Sequence, residues 1–468
     1  MKRVCWKNRS PGDTRIELPE VCASDVEKCV QKAAQAASGW SHFSLQQRID
    51  YLREVQAGLK EIQEELAHGI ALETGKPLVE SRGEISAVLM KFDLSISDAQ
   101  RWLKPEEVKE GPHPARIIRR SQGPATVIGP FNFPLHLPNG AAVPHLLAGN
   151  PVLLKPSPVA AVVAERYGKV FEAILPSGVF QLVQGGAEES MALCIHPLVR
   201  SVNFTGSVSV GKMLAKVLAE DFSKHLALEL GGKNALIVWE DADIGAAAQA
   251  AAEGICLTAG QRCNATSRIL VHRKVASSFY EVLAKELKKY QPGDPLKEDT
   301  VLGPLINEKA QQRFKEVLAL SKEGEWIVKG AVEKEIGDKP GYYVKPAVWL
   351  WKDRDKGLTS FLHCEEVFAP IAEVYEVADM ADAIKIHETT PFGLTASVFT
   401  EAESIFNEFA DALNVGNLYA NLATTFSPST LPFGGVGESG NRRPAGRHFI
   451  RFTTEEQAIQ ISTKSFKK

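Results

Sequence analysis

The sequence predicts an α/β fold built on doubly wound parallel sheets, and two observations carry that expectation. From Pro124 onward, short apolar, β-branched runs alternate with helical stretches, the pattern of strands joined by crossover helices. The alternation then restarts at Asn234, so the chain holds a second block of the same kind. Its 468 residues, at roughly 150 per domain, leave room for about three parts.

The elements follow in order. Before the alternation the first hundred residues read as helix. Ser24 and Asp25 are placed to cap an Ala-rich stretch through Ala37, Ser44 begins a longer amphipathic run toward Ala71, and a third helix runs from about Pro77 to Leu103. After a polar, Pro-containing segment, the run Arg116–Ser121 and the strand that follows it read as a hairpin. Strands are expected at Ala125–Gly129, Pro151–Lys155, Val179–Val183, Ser201–Phe204 and His225–Glu229, with helices at Val159–Leu175, Glu188–His196 and Val210–Glu220 between them. The second block offers Asn234–Trp239, an Ala-rich helix over Ala242–Ala259, the strand Arg268–Val271 and a helix over Val275–Tyr290. Beyond Gly341 the alternation is less regular, and Phe433–Gly440 reads as a Gly-rich loop.

Composition excludes several classes. With 44% hydrophobic and 24% charged residues the chain is neither disordered nor fibrous. A net charge of −3 lacks the basic excess of a nucleic-acid binder. Seven irregularly spaced cysteines do not make a disulfide framework and fit reduced thiols in the cytoplasm. The polar start, Met1–Asp13, has no signal-peptide core. Leu135–Leu154 carries no Asp, Glu, Lys or Arg, but Pro138, Pro144 and Pro151 interrupt it, so it reads as a buried loop and helix rather than a membrane span.

One motif points to a different chemistry. Gly206 through Met213 misses the phosphate-cradling G-x-x-x-x-G-K-[ST] loop by a single residue. Met213 stands where a hydroxyl should hold Mg²⁺, and a thioether is a poor ligand for a hard cation. A nucleotide triphosphatase therefore stays as an alternative, beside a plain strand-to-helix turn and a dinucleotide site.

Four short motifs together specify carbonyl chemistry. Gly260-Gln-Arg-Cys263 offers a thiol in a turn, and Glu229-Leu-Gly-Gly-Lys-Asn234 a carboxylate at a strand end. Gly129-Pro-Phe-Asn132-Phe-Pro134 offers an amide between prolines, and Glu366-Val-Phe368 precedes Ala369-Pro370. Each alone has an ordinary structural reading, such as a buried Cys or turn-forming Asn. As a set they supply nucleophile, base and amide donor.

In these motifs the chain resembles the NAD(P)-dependent, non-phosphorylating aldehyde dehydrogenase superfamily. The likeness extends through Leu72–Pro77, Leu154–Ser157, Phe204–Ser207, Glu365–Pro370, Pro391–Leu394 and Pro432–Gly435, nearly the whole chain, and Glu229 and Cys263 keep the family's 34-residue step. The resemblance implies a Rossmann-type cofactor domain over residues 1–230, a catalytic domain over 231–423, and an oligomerisation element. That element combines the hairpin near residues 112–126 with the loop and tail of 424–468, giving a homodimer or homotetramer.

It also implies roles. Cys263 attacks the aldehyde carbon, the Asn132 amide and the Cys263 backbone N–H meet the oxyanion, and Glu229 activates the water that hydrolyses the thioester. Lys155 falls at the adenosine ribose, Gly206 and Ser207 with the following helix at the pyrophosphate, Glu366 at the nicotinamide ribose and Phe368 beside the nicotinamide. No residue is assigned to a metal. Pro158 replaces a glutamate that binds the ribose hydroxyls in many NAD-dependent relatives, so NAD is expected with NADP open. Ala369 replaces the usual Gly of the Glu-x-Phe-Gly-Pro motif.

Pro432–Pro444, Phe133–Gly140 and Ala259–Cys263 resemble the subfamily that oxidises succinylglutamate semialdehyde in arginine catabolism. A carboxylated substrate suits guanidinium groups, and Arg262, Arg442 and Arg443 are the candidates. Dehydrogenases of other semialdehydes and a non-catalytic family member remain as alternatives.

Overall fold

The computed structural model describes residues 4–111, 113–320 and 323–462. Two parallel sheets dominate it. The first has five strands in the spatial order His225–Glu229, Ser201–Thr205, Ala125–Ile128, Val152–Lys155 and Phe180–Leu182. The second has seven, ordered Gly324–Val328, Ala347–Trp351, Ile371–Val377, Thr266–His272, Asn234–Val238, Thr395–Phe399 and Asn417–Ala420. Only the Gly324–Val328 edge runs antiparallel to its neighbour. Ala125–Ile128, Val152–Lys155 and Asn234–Val238 are buried at every position, because helices cover both faces of such sheets.

The helices start where local chemistry favours it. Asp25 caps Val26–His42 through the Lys28 N–H, and Ser44 forms a capping box with Gln47 ahead of Leu45–Glu61. The long run expected from Ser44 breaks at Ile62 into two helices, the second ending on Gly75 in the left-handed region (φ 74°). Leu78–Trp102 and His136–Leu147 then pack against each other beside the first sheet. Among the described residues no helix is long and apolar enough to cross a membrane.

Three expectations are corrected. The N-terminal segment before Ser24 is not helical: Cys5–Trp6 pairs with Val21–Cys22, and Arg9–Ser10 with Asp13–Glu17. Cys5 and Cys22 face each other in that register and form a disulfide, so the cysteines are not all free thiols. Strands of two residues, as three of these four are, carry no readable periodicity. Third, Ala115–Ser121 does not pair with Ala125–Ile128. It lies between Glu106–Val108 and the tail strand Thr454–Gln460 in an antiparallel three-stranded sheet, whereas Ala125–Ile128 enters the first parallel sheet. Gly123, at φ 106°, turns the chain between the two sheets.

Candidate active site

The strand order of the first sheet creates the crevice. From Ala125–Ile128 the chain steps outward to two strands on one side, then returns to add two on the other. The switch point lies between Ala125–Ile128 and Ser201–Thr205, where open α/β sheets bind ligands at the carboxyl ends of their strands. Asn132 follows the first of these strands and Gly206-Ser207 the second, Lys155 ends the neighbouring strand, and Glu229 ends His225–Glu229.

Cys263 is presented by a strained turn. After the helix Ile244–Cys256, Thr258 and Ala259 adopt φ of 53° and 54°, and Gly260 follows at 68°. Two consecutive non-glycine residues there, one β-branched, are costly and need support. Glu80 provides it: its carboxylate accepts the Thr258 N–H (3.0 Å) and hydroxyl (2.7 Å) and pairs with Arg262 at 2.7 Å. On the other side the Asn234 amide donates to the carbonyls of Cys263 (2.8 Å) and Ala265 (2.9 Å). The Asn132 side-chain amide donates to the Gln261 carbonyl at 2.8 Å, which ties the Asn132 turn to the cysteine loop and leaves its second N–H unused. Gly260 sits so close under the Ala369 carbonyl that a Cβ would collide with it, so the cysteine loop also rests on the Glu366–Pro370 segment.

The electrostatics favour uncharged forms. Burial raises the Cys263 thiol well above its ordinary pKa, Glu229 and Glu366 add to the effect, and Arg262 and the Asn264 N–H oppose it. Glu229 is buried, neither carboxylate oxygen has a hydrogen-bond partner, and burial pushes its pKa up to about 8, opposed by Arg443. Both groups stay protonated at neutral pH until something enters the site.

The groups matching the dinucleotide motifs lie at the ends of Val152–Lys155 and Ser201–Thr205 and in the Glu366–Pro370 segment. Lys155 ends its strand buried, its ammonium donating to the adjacent Pro156 carbonyl at 2.9 Å, and burial lowers its pKa to about 8. Ser207 caps the helix Val208–Leu218, leaving that helix N-terminus facing the crevice. The triphosphatase alternative fails here. Val208–Gly211 already form the first helical turn and so cannot wrap a phosphate, and Lys212 is drawn off to Glu438 at 2.5 Å. Glu366 is held above Gly231 and Gly232, with one oxygen accepting the Gly232 N–H at 3.1 Å, and burial raises its pKa to about 7. A Cβ on Gly231 would collide with the other oxygen. Phe368 takes the positive φ of this segment (58°) and stacks edge-on with Phe131 at 5.8 Å. Ala369, which replaces a glycine of the motif, is not in the left-handed region, so its methyl is accommodated.

A cavity of about 370 Å³ opens in front of Cys263 between the helix Leu78–Trp102, the start of His136–Leu147 and the loops around Ser427 and Ala445. Arg262 lines it, but its guanidinium is committed to Glu80 and Thr258. Arg442 and Arg443 are not part of its wall. Arg442 is exposed over the Phe452 ring (5.9 Å), and Arg443 donates to the carbonyls of Gly416 and Gly434. Both residues adopt positive φ, 58° and 49°, and the loop reaches the cavity wall only at Ala445 and Gly446. Reasoning from motifs missed Glu80, Glu84, His136 and Asn234. Only the sequence neighbours of Glu80 and Glu84, one turn apart in a helix entering after Gly75-Lys-Pro77, hinted that this helix faces the site.

Comparison with known proteins matches the chain to one class. The aldehyde dehydrogenase family profile matches residues 2–459, and the chain belongs to that family. It is an enzyme, an aldehyde dehydrogenase. Among curated relatives it is 34% identical over 445 residues to N-succinylglutamate 5-semialdehyde dehydrogenase of Burkholderia pseudomallei, covering 94% of this chain and 89% of that one. Among solved structures, γ-glutamyl-γ-aminobutyraldehyde dehydrogenase of Burkholderia cenocepacia superposes with a TM-score of 0.92 at 30% identity, over 98% of this chain and 93% of the other. Betaine aldehyde dehydrogenase of Staphylococcus aureus, in complex with NAD⁺, gives 0.92 at 26% identity over 99% and 94%.

Proposed function

We propose that the enzyme oxidises a carboxylate-bearing semialdehyde, N-succinylglutamate 5-semialdehyde, to the free acid with NAD⁺ or NADP⁺. The observation that carries the chemistry is the pairing of Cys263 on its clamped turn with a buried Glu229 whose two oxygens have no partner. The relatives' name and the Pro432–Pro444 motif support the substrate.

The residues fit a nicotinamide dinucleotide. Gly231 leaves space that only a bare backbone can leave beside Glu366, whose second oxygen points into it, and the Val208–Leu218 N-terminus faces the same crevice. Lys155 and Glu366 would hold the two riboses, Gly206 and Ser207 the pyrophosphate, and Phe368 the nicotinamide face. The dinucleotide, once bound, supplies the hydride acceptor.

The chain's own groups do the rest. Deprotonated Cys263 adds to the aldehyde carbon, and the free N–H of Asn132 with the Cys263 backbone N–H receives the charge on oxygen; such a donor is worth about 3–4 kcal/mol. After oxidation the carbon is a thioester on Cys263. Glu229 takes a proton from water, the resulting hydroxide adds to the thioester, and Cys263 leaves as the acid is released. Glu80, Asn234 and Gly260 keep the sulfur in place.

The same reading treats residues 1–230 as the cofactor domain and 231–423 as the catalytic domain. It places the enzyme in the cytoplasm as a homodimer or homotetramer joined through the Ala115–Ser121 sheet, whose free edge a partner subunit would cover. Initial rates of NADH and NADPH formation with succinylglutamate semialdehyde and a panel of other semialdehydes test the proposal, wild type beside Cys263→Ala. Turnover best on the succinylated substrate and lost in the variant is the expected result. Turnover confined to other aldehydes overturns the substrate, and turnover surviving in Cys263→Ala overturns the mechanism.

A further inference from the structure

The N-terminal segment carries a covalent link that the proposed chemistry does not use. Cys5 and Cys22 are joined across two antiparallel strands of two residues each, Cys5–Trp6 and Val21–Cys22. Strands so short do not hold each other by their ladder alone. Their surroundings are unequal. Past Cys22 the chain is fixed to the body of the fold: the Ser24 N–H donates to the Gln184 carbonyl (2.9 Å), the Ser24 hydroxyl accepts the Gln184 N–H (3.0 Å), and the helix Val26–His42 follows. Past Asn8 the chain is held separately, the Pro11 carbonyl accepting the Tyr342 N–H (3.2 Å) and the Gly12 carbonyl the Tyr343 hydroxyl (2.6 Å). The disulfide therefore ties residues 4–8 to a strand that is anchored without it.

That short stretch supports the segment after Lys155. The Trp6 indole N–H (3.2 Å) and the Asn8 side-chain amide (2.6 Å) both donate to the Pro158 carbonyl. Pro158 opens the 3₁₀ turn Pro158–Ala160, and between it and the strand end the Lys155 ammonium donates to the Pro156 carbonyl at 2.9 Å. Pro156 and Pro158 have no N–H, so this segment is poor in donors of its own, and the N-terminal stretch supplies two from outside. The accessibility of the sulfurs suits a reversible bond: Cys5 is exposed and Cys22 half-buried, whereas Cys194 and Cys256 are buried. The Glu20 carboxylate lies within 4.8 Å of both sulfurs, a repulsion that thiolates feel and a disulfide does not. In a reducing compartment an exposed disulfide of this kind forms and breaks with redox conditions rather than stapling the fold.

We propose that the Cys5–Cys22 pair is a redox latch on the adenosine end of the dinucleotide site: the disulfide holds Trp6 and Asn8 on the Pro158 carbonyl, and its reduction releases them and weakens dinucleotide binding. The reductant is a dithiol. It gives two electrons and two protons, the S–S bond breaks, Cys5 and Cys22 become thiols, and the dithiol is left as a disulfide. The inference rests on the proposed placement of the dinucleotide at Lys155, and the sulfur of Cys263 takes no part in it. Coupling between two sites is reciprocal, so bound dinucleotide favours the disulfide by the same factor by which the disulfide favours the dinucleotide.

The test measures NAD⁺ and NADP⁺ affinity by titration calorimetry for the full chain, oxidised and after reduction with dithiothreitol, with EDTA present to keep metal off the thiols. Reduction should weaken binding of the preferred dinucleotide by about fivefold or more. The Cys5–Cys22 equilibrium in dithiothreitol redox buffers should move toward the disulfide by the same factor when that dinucleotide saturates the protein. Hydrogen exchange should quicken on reduction at residues 4–8 and 157–160. A double variant, Cys5→Ser with Cys22→Ser, should bind as reduced wild type does and lose its response to dithiothreitol. Equal affinity in the two states, an equilibrium blind to dinucleotide, or a response that survives in the double variant overturns the latch and leaves the proposed oxidation standing. Binding of neither dinucleotide in either state removes both.

Discussion

Arg443 lies near enough to Glu229 to oppose the burial that raises its pKa, yet no hydrogen bond joins them; the guanidinium donates instead to the carbonyls of Gly416 (2.7 Å) and Gly434 (3.1 Å). The carboxyl is thus influenced at a distance and left free to move. A paired Glu229 would be a fixed anion and a weak base, whereas an unpaired one titrates in the working range, with a pKa of about 8.

Thioester hydrolysis should therefore rise with pH through about 8, as Glu229 loses its proton. Glu229→Gln should retain a rapid first turnover of NADH while steady-state turnover falls by roughly 10²–10⁴-fold. Arg443→Met removes the charge that favours the carboxylate, so this rise should move to higher pH. Stopped-flow bursts and pH–rate profiles check both. A variant Glu229→Gln with unchanged steady-state turnover would remove the residue from the mechanism.

The same carboxyl makes stability depend on pH. Its folded pKa of about 8 lies above the ordinary 4.5, so between those values the folded chain holds a proton that the unfolded chain releases. Stability then falls as pH rises through that window, by at most about 1.4 kcal/mol per unit. Glu229→Gln carries no such proton. Its melting temperature should gain on wild type steadily from pH 5 to pH 8 and hold constant above, as read by thermal unfolding; a constant difference throughout would contradict the burial of this group.

Gly231→Ala tests the nicotinamide site proposed beside Glu366. Its backbone is not in the left-handed region, so only space is at stake, and the new methyl would strike the Glu366 carboxylate. Overpacking of this kind costs about 1–3 kcal/mol. The expected result is a folded protein with weaker dinucleotide binding and lower kcat, measured by fluorescence titration and initial rates.

Pro158→Glu should shift cofactor choice. Pro158 opens a short 3₁₀ turn and its carbonyl accepts from the Trp6 indole (3.2 Å) and the Asn8 amide (2.6 Å), contacts that survive the change because they use the backbone. A carboxylate beside the ribose repels a 2′-phosphate and accepts from a 2′-hydroxyl. The ratio of kcat/KM for NAD⁺ over NADP⁺ should rise about tenfold or more. An unchanged ratio would place residue 158 away from the ribose.

The sequence by itself determined the class of fold and pointed to the groups proposed to react. Strand–helix alternation is local, and the strands Ala125–Ile128 through His225–Glu229 and their helices lie within a few residues of where the pattern puts them, because burial on both faces leaves an apolar signature in each segment. The motifs around Asn132, Glu229, Cys263 and Glu366 are contiguous, so they too were legible. The tertiary structure alone decided what surrounds them. Glu80 beneath the Cys263 turn, Lys91 opposite Gly140, Arg443 turned toward backbone carbonyls and Cys5 across from Cys22 are all contacts between distant segments. A lone glutamate or lysine on a helix looks the same whether it meets water or the interior. What separates the two is the packing of one helix on another, and that is a property of the folded chain.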